Sequence, residues 1–118
     1  MMRMNRTNTI LYCDRWEATV RFYRDLIKLP VLMEKAWFVE FQLIDNSCLS
    51  VADAARTSIA STGGDGMTLS WLVEDIDAVH DRMLADGIDV GPFTVTWGAR
   101  TFYLFDPEGH RIEVWARP

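Results

Sequence analysis

Apolar and polar residues change their period several times along this chain, and each change marks an element. Residues 8–13 form a short apolar run of strand length. After it, Trp16, Val20, Tyr23 and Ile27 recur at helical spacing, with Thr19, Phe22 and Leu26 beside them. One apolar stripe of this kind predicts a helix lying on a sheet. Asp14 is placed as N-cap and Glu17 three residues later resembles a capping box. Leu29-Pro30 ends the helix, because a residue before proline disfavours the α region. Three strands are then predicted, over residues 31–35, 38–44 and 48–52, with Asp45-Asn46-Ser47 as the turn before the last.

Residues 53–66 break the pattern. Small and polar residues dominate, and Gly63-Gly64-Asp65-Gly66 continues no regular element, so this stretch reads as a linker. The order then repeats. A strand is expected over residues 67–73, and a helix over 75–86 with Ile76, Val79, Met83 and Leu84 on one side. Gly87 falls at C′ of that helix. Strands are expected over 89–96, 100–105 and 110–115. Letters repeat too: Phe41-Gln42-Leu43-Ile44-Asp45 matches Phe102-Tyr103-Leu104-Phe105-Asp106, and Leu49-Ser50-Val51 matches Ile112-Glu113-Val114. The spacing, near 60 residues, is too long for a solenoid and suits a duplicated half-domain. The fold class is therefore α+β, one domain of two βαβββ modules, about 7–52 and 67–116, joined by the linker at 53–66.

Composition narrows the function classes. At 118 residues and 49% hydrophobic content the chain has the make-up of an ordinary globular domain. A net charge of -5 argues against a nucleic-acid partner, whose phosphates would repel an acidic surface. No apolar stretch approaches the roughly 20 residues of a membrane span. Residues 1–9 carry Arg3 and Arg6 but no apolar core of a signal peptide. Cys13 and Cys48 sit inside apolar runs and read as buried reduced thiols, so a cytoplasmic location is the default expectation.

Two motifs carry a family resemblance. Phe22-Tyr23-Arg24-Asp25, after a strand-to-helix junction, resembles the FYRD signature of the vicinal-oxygen-chelate superfamily. Asp106-Pro107-Glu108-Gly109-His110-Arg111-Ile112-Glu113 is similar to its closing motif. With the duplication, the resemblance to the glyoxalase, bleomycin-resistance and extradiol dioxygenase family spans nearly the whole chain. It implies paired βαβββ modules whose inner faces make a ligand cup, and a homodimer. It also implies a metal site at the positions matched here by Asn8, Ser50, Thr68 and Glu113. Divalent metals need several imidazole or carboxylate donors, and only Glu113 is a competent one. No metal or other cofactor is therefore expected. His80, on the second helix, and His110, at the hairpin turn, read as structural.

Strand alternation then assigns the cup. If Glu113 points inward, so do Arg111 and Trp115. Pairing Phe105 with His110 across the hairpin adds Phe102 and Leu104, and the repeat adds Phe41, Leu43, Cys48 and Ser50. Ile10, Tyr12, Ser70 and Leu72 complete the walls. Trp37 and Trp97 occupy similar places in the two halves, where they can stack on a planar or cationic ligand, and Arg100 is a candidate for an anionic group. The expected ligand residues are thus Tyr12, Trp37, Phe41, Ser50, Ser70, Trp97, Arg100, Phe102, Arg111, Glu113 and Trp115. Glu113 is the best catalytic candidate, unless Arg111 pairs with it. Three functions remain open: a metal-free binding protein for a small aromatic or cationic molecule, a lyase, isomerase or dioxygenase-like enzyme using Glu113 with or without a divalent metal, or a dimeric interaction module.

Overall fold

A computed structural model describes residues 1–118 and divides the chain into two units, Met1–Thr62 and Gly63–Pro118. Each unit is a four-stranded mixed sheet with one main helical segment, the first unit adding a short 3-10 turn at Ala54–Arg56, so the chain is α+β. In the first unit the elements run β1 (Thr7–Cys13), α1 (Trp16–Arg21), β2 (Val31–Lys35), β3 (Phe38–Ile44) and β4 (Ser47–Asp53). In the second they run β5 (Thr68–Leu72), α2 (Ile76–Ala85), β6 (Thr94–Thr96), β7 (Ala99–Phe105) and β8 (Arg111–Ala116). The strand orders are β1-β4-β3-β2 and β5-β8-β7-β6, with the first pair parallel and the rest antiparallel in both. The same βαβββ path is thus drawn twice.

The helical segments differ. Asp75 caps α2 by accepting from the Ala78 amide at 3.1 Å. The helix closes with a Schellman motif: Gly87, at φ +80, donates to Leu84 and Ile88 donates to Met83, both at 3.0 Å. The cap position of α1 falls one residue later than the Asp14 expected. It is Arg15, which makes no side-chain cap, and Thr19 Oγ1 donates back to the Arg15 carbonyl at 2.8 Å. Beyond Arg21 the helix widens into a π turn over Phe22–Leu26, closed by the Ile27 amide on the Phe22 carbonyl at 2.9 Å. The adjacent aromatics Phe22 and Tyr23 are both buried there. An α-helix would hold neighbouring residues about 100° apart.

One face of each sheet carries the helix. In the first unit Leu11, Val39, Phe41, Leu49 and Val51 are buried, with Tyr23 from the helical segment beside Phe41. In the second, Phe102, Leu104, Ile112 and Val114 are buried and His80 of α2 lies edge-on to Phe102 at 4.7 Å. Both cysteines are buried and neither is in a disulfide. No helix is long and apolar enough to cross a membrane.

Two expectations need correction. Only Thr94–Thr96 of the strand expected over 89–96 forms, because Ile88 belongs to the helix end and Pro92 has no amide to donate. The hairpin between β7 and β8 has a longer loop than its letters suggest. Asp106 Oδ1 accepts from the amides of Glu108, Gly109 and His110, and Oδ2 meets His110 Nδ1 at 2.8 Å. His110 therefore belongs to the loop, and Phe105 pairs with Arg111 rather than with His110. A slip of one residue turns every side chain of a strand to the other face. Phe102 and Leu104 accordingly lie on the helix face, paired with Val114 and Ile112. In the first unit Phe41 pairs with Leu49 on the helix face, and Leu43 falls at a bulge between Gln42 and Ile44.

Candidate functional site

The face of each sheet turned away from its helix carries most of the polar positions, and its residues follow from the register. In the second unit Thr68, Ser70 and Leu72 of β5 lie beside Arg111, Glu113 and Trp115 of β8. Tyr103 and Thr101 of β7 face Glu113 and Trp115. Glu113 is half-buried. Ser70 Oγ donates to its Oε1 at 2.6 Å, and the Tyr103 hydroxyl donates to its Oε2 at 3.1 Å. The hydroxyls of Tyr103 and Thr96 lie 3.4 Å apart. Arg111 does not pair with Glu113. Its Nε donates to Thr68 Oγ1 at 2.9 Å and its guanidinium lies 4.8 Å from the Tyr103 ring centre.

Beside this carboxylate is a cavity of about 250 Å³ lined by Ser70, Thr96, Trp97, Thr101, Glu113 and Trp115, among others. Trp97 is 99% exposed, at the tip of the β6–β7 hairpin. Its φ is +52 and that of Gly98 is +78, the left-handed pair of a type I′ turn. Asparagine or aspartate is the usual first residue of such a turn, so a bulky aromatic there is held against its backbone preference. Trp115 is half-buried, with the Arg117 guanidinium 5.9 Å from its ring centre. The chemistry available is an oriented carboxylate with two hydroxyl donors beside two indole rings.

The first unit places Asn8, Ile10 and Tyr12 of β1 with Cys48, Ser50 and Ala52 of β4, and with Phe38 and Glu40 of β3, on the face away from its helix, where Cys48, Ser50, Ala52 and Glu40 are buried. Ser50 Oγ donates to Asn8 Oδ1 at 2.8 Å. Glu40 is buried and pairs with Arg6. Trp37 is half-buried in the β2–β3 turn, 5.4 Å from the Phe38 ring.

Of the residues anticipated, Ser70, Arg111, Glu113 and Trp115 share one face, and Trp97 lines the cavity beside them. Tyr12 and Ser50 share the face of the first sheet turned away from its helix, Tyr12 half-buried and Ser50 buried. Phe41 and Phe102 are corrected: both are fully buried on helix faces, for the register reason above. Arg100 is corrected as well. It pairs with Ala116, on the helix face, and its guanidinium holds Asp77 at 2.9 and 3.1 Å while lying over the Phe93 ring. The hydrogen bond from Arg100 keeps the Asp77 carboxyl below the usual carboxylate range, and Arg100 is itself raised by the same bond. Tyr103, Thr96, Thr101 and Glu40 were missed. Alternation counted from a five-residue hairpin loop would have put Tyr103 beside Glu113.

The residues at the four family metal positions do not fit a metal. Asn8 and Ser50 bond to each other, Thr68 accepts from Arg111, and Glu113 accepts from Ser70 and Tyr103. No group of three or more His, Cys, Asp or Glu side chains is gathered for a metal ion. His80 meets the Gly91 carbonyl at 3.1 Å and stacks on Phe93, and His110 is buried in its loop.

Comparison with solved structures finds the fold repeatedly. A lactoylglutathione lyase from Agrobacterium tumefaciens is 22% identical, with a TM-score of 0.77 over 98% of this chain and 96% of that one. TnmS3, an antibiotic binding protein from Streptomyces sp. CB03234, is 17% identical, with a TM-score of 0.81 over 100% and 99%. The oxidase ChaP-H2 is 24% identical, with a TM-score of 0.72 over 99% and 96%. At these identities the likeness is one of fold. A comparison with curated proteins gave no significant match. The family model for the Glyoxalase/Bleomycin resistance protein/Dioxygenase superfamily matches residues 3–114, and the chain belongs to that superfamily.

Proposed function

We propose that the protein binds a small planar cationic molecule without using a metal, and does so as a homodimer of the bleomycin-resistance type. The observation that carries this reading is the second-unit cavity, in which Glu113 stands beside Trp97 and Trp115. Indole faces attract cations and planar rings, and the carboxylate supplies the opposite charge. Ser70 and Tyr103 orient that carboxylate, so it meets a ligand with little rearrangement. The fold likeness to an antibiotic binding protein is consistent with a binding role. The donor set at the family metal positions supports a metal-free site.

Tryptophan fluorescence titration against a panel of planar cationic compounds tests the proposal. We expect saturable quenching by at least one compound. Glu113→Gln should weaken its binding about tenfold or more, since hydrogen bonds to a charged group contribute roughly 1.5–3 kcal/mol. A panel with no quenching at all, or binding that ignores both Glu113→Gln and Trp97→Ala, overturns it.

A further inference from the structure

Strand pairing and helix starts align the two units residue by residue. Val39 pairs with Val51 as Phe102 pairs with Val114. Lys35 pairs with Phe38 as Thr94 pairs with Thr101, so Glu34 corresponds to Phe93. On the helices, Glu17 and Val20 correspond to Asp77 and His80. In the second unit this group fills the space between helix and sheet. The Phe93 ring lies 4.4 Å from His80 and 5.7 Å from Phe102. The Arg100 guanidinium lies 4.2 Å over that ring and donates to Asp77 at 2.9 and 3.1 Å. In the first unit the same place is a cavity of about 160 Å³, lined by Trp16, Val20 and Val39 with two acids, Glu17 and Glu34, and two arginines. We propose that this cavity binds an arylalkylamine, whose ring takes the place of Phe93 and whose ammonium takes the place of the Arg100 guanidinium.

What the first unit lacks defines the ligand. Val39 and Val20 are smaller than Phe102 and His80, and Glu34 brings no ring. The counterpart of Arg100 is Trp37, so Glu17 receives no cation from that strand. The two arginines are directed elsewhere. Arg24 donates to Asp25 at 2.9 and 3.2 Å and lies 3.7 Å from Glu34. Arg21 lies one helical turn before the same Asp25. An apolar cavity of roughly 150 Å³ takes one benzene ring. Trp16 is half-buried, and its Nε1 donates to the Val51 carbonyl at 2.9 Å, which fixes the indole at the cavity wall. An indole attracts both an aromatic ring and an ammonium group. The cavity lies on the helix side of the first sheet, and so does not depend on the function proposed for the Glu113 cavity.

The test uses the full chain, isotope-labelled for NMR, with phenethylammonium as probe. The Trp16 indole N–H signal reports this cavity, while those of Trp97 and Trp115 report the other. Saturable movement of the Trp16 signal is expected. Glu34→Phe supplies the ring that Phe93 provides in the second unit, and should abolish that movement. Glu17→Gln should weaken the affinity read at Trp16 about threefold, as for one exposed ion pair. A Trp16 signal that stays still up to the solubility of the probe overturns the proposal, whether or not Trp97 and Trp115 respond. Movement that survives Glu34→Phe in a folded protein overturns it as well. Should that variant fail to fold by circular dichroism, Glu17→Gln decides, and an unchanged affinity refutes it.

Discussion

At the residue scale, single side chains set local geometry that no pattern of apolar positions contains. Asp106 is the clearest case. Its carboxylate gathers three backbone amides and the His110 ring, and so fixes a five-residue loop. Asp106→Ala leaves those buried donors unanswered and should cost on the order of 3 kcal/mol in urea unfolding. Asp106→Asn keeps one acceptor and should cost less. The exposed pair of Asp77 and Arg100 gives a pH prediction. Asp77 has a lowered folded pKa, so its contribution to stability is present above the unfolded carboxylate pKa and disappears as pH falls through the folded value. Arg100→Gln should raise the Asp77 midpoint in a carboxyl NMR titration, and salt should diminish the difference, as it does for exposed pairs.

At the element scale, the two modules show how one path tolerates different local solutions. One helix is capped by Asp75 and ended by Gly87, while the other starts without a side-chain cap and ends in a π turn. The β6–β7 hairpin is where local preference and arrangement disagree most. Trp97 holds φ +52 in full exposure, which costs an L-residue roughly 1–2 kcal/mol. Trp97→Asn should therefore raise the thermal midpoint while weakening the ligand binding proposed for the Glu113 cavity. A variant that loses stability and keeps binding would contradict both halves of this expectation. Packing of the helix faces is the other property of this scale. Phe41 and Phe102 are fully buried, and replacing either with alanine should cost about 3–5 kcal/mol by chemical denaturation.

At the scale of the whole molecule, the chain is two units of one design and belongs to one superfamily, while solved structures that share its fold range from a lyase to an antibiotic binding protein. Fold alone does not select among such functions, and the side chains on the faces away from the helices must. The homodimer proposed for this protein should appear in sedimentation equilibrium as a species of twice the 13.6 kDa chain mass. A monomer at micromolar concentration would count against it.

The duplication, the order of strands and helices, and the shared face of Ser70, Arg111, Glu113 and Trp115 were legible in the letters alone. They follow from local periodicity, which each segment carries in itself. The faces of β3 and β7 were not. They depend on how far two strands slide past one another, and the Asp106 loop and the Leu43 bulge set that slide. The letter match of Phe41 with Phe102 overlooked it: by strand pairing, Phe41 corresponds to Leu104 and Glu40 to Tyr103. The residue types at the four family metal positions were also legible in the letters, because chemical identity needs no fold. Only the tertiary structure decided that Tyr103 and Ser70 hold Glu113, that Arg100 belongs to Asp77, and that Glu40 has Arg6 as its partner. Those pairings join residues far apart in the chain, and hydrogen-bond geometry exists only once the strands are in register.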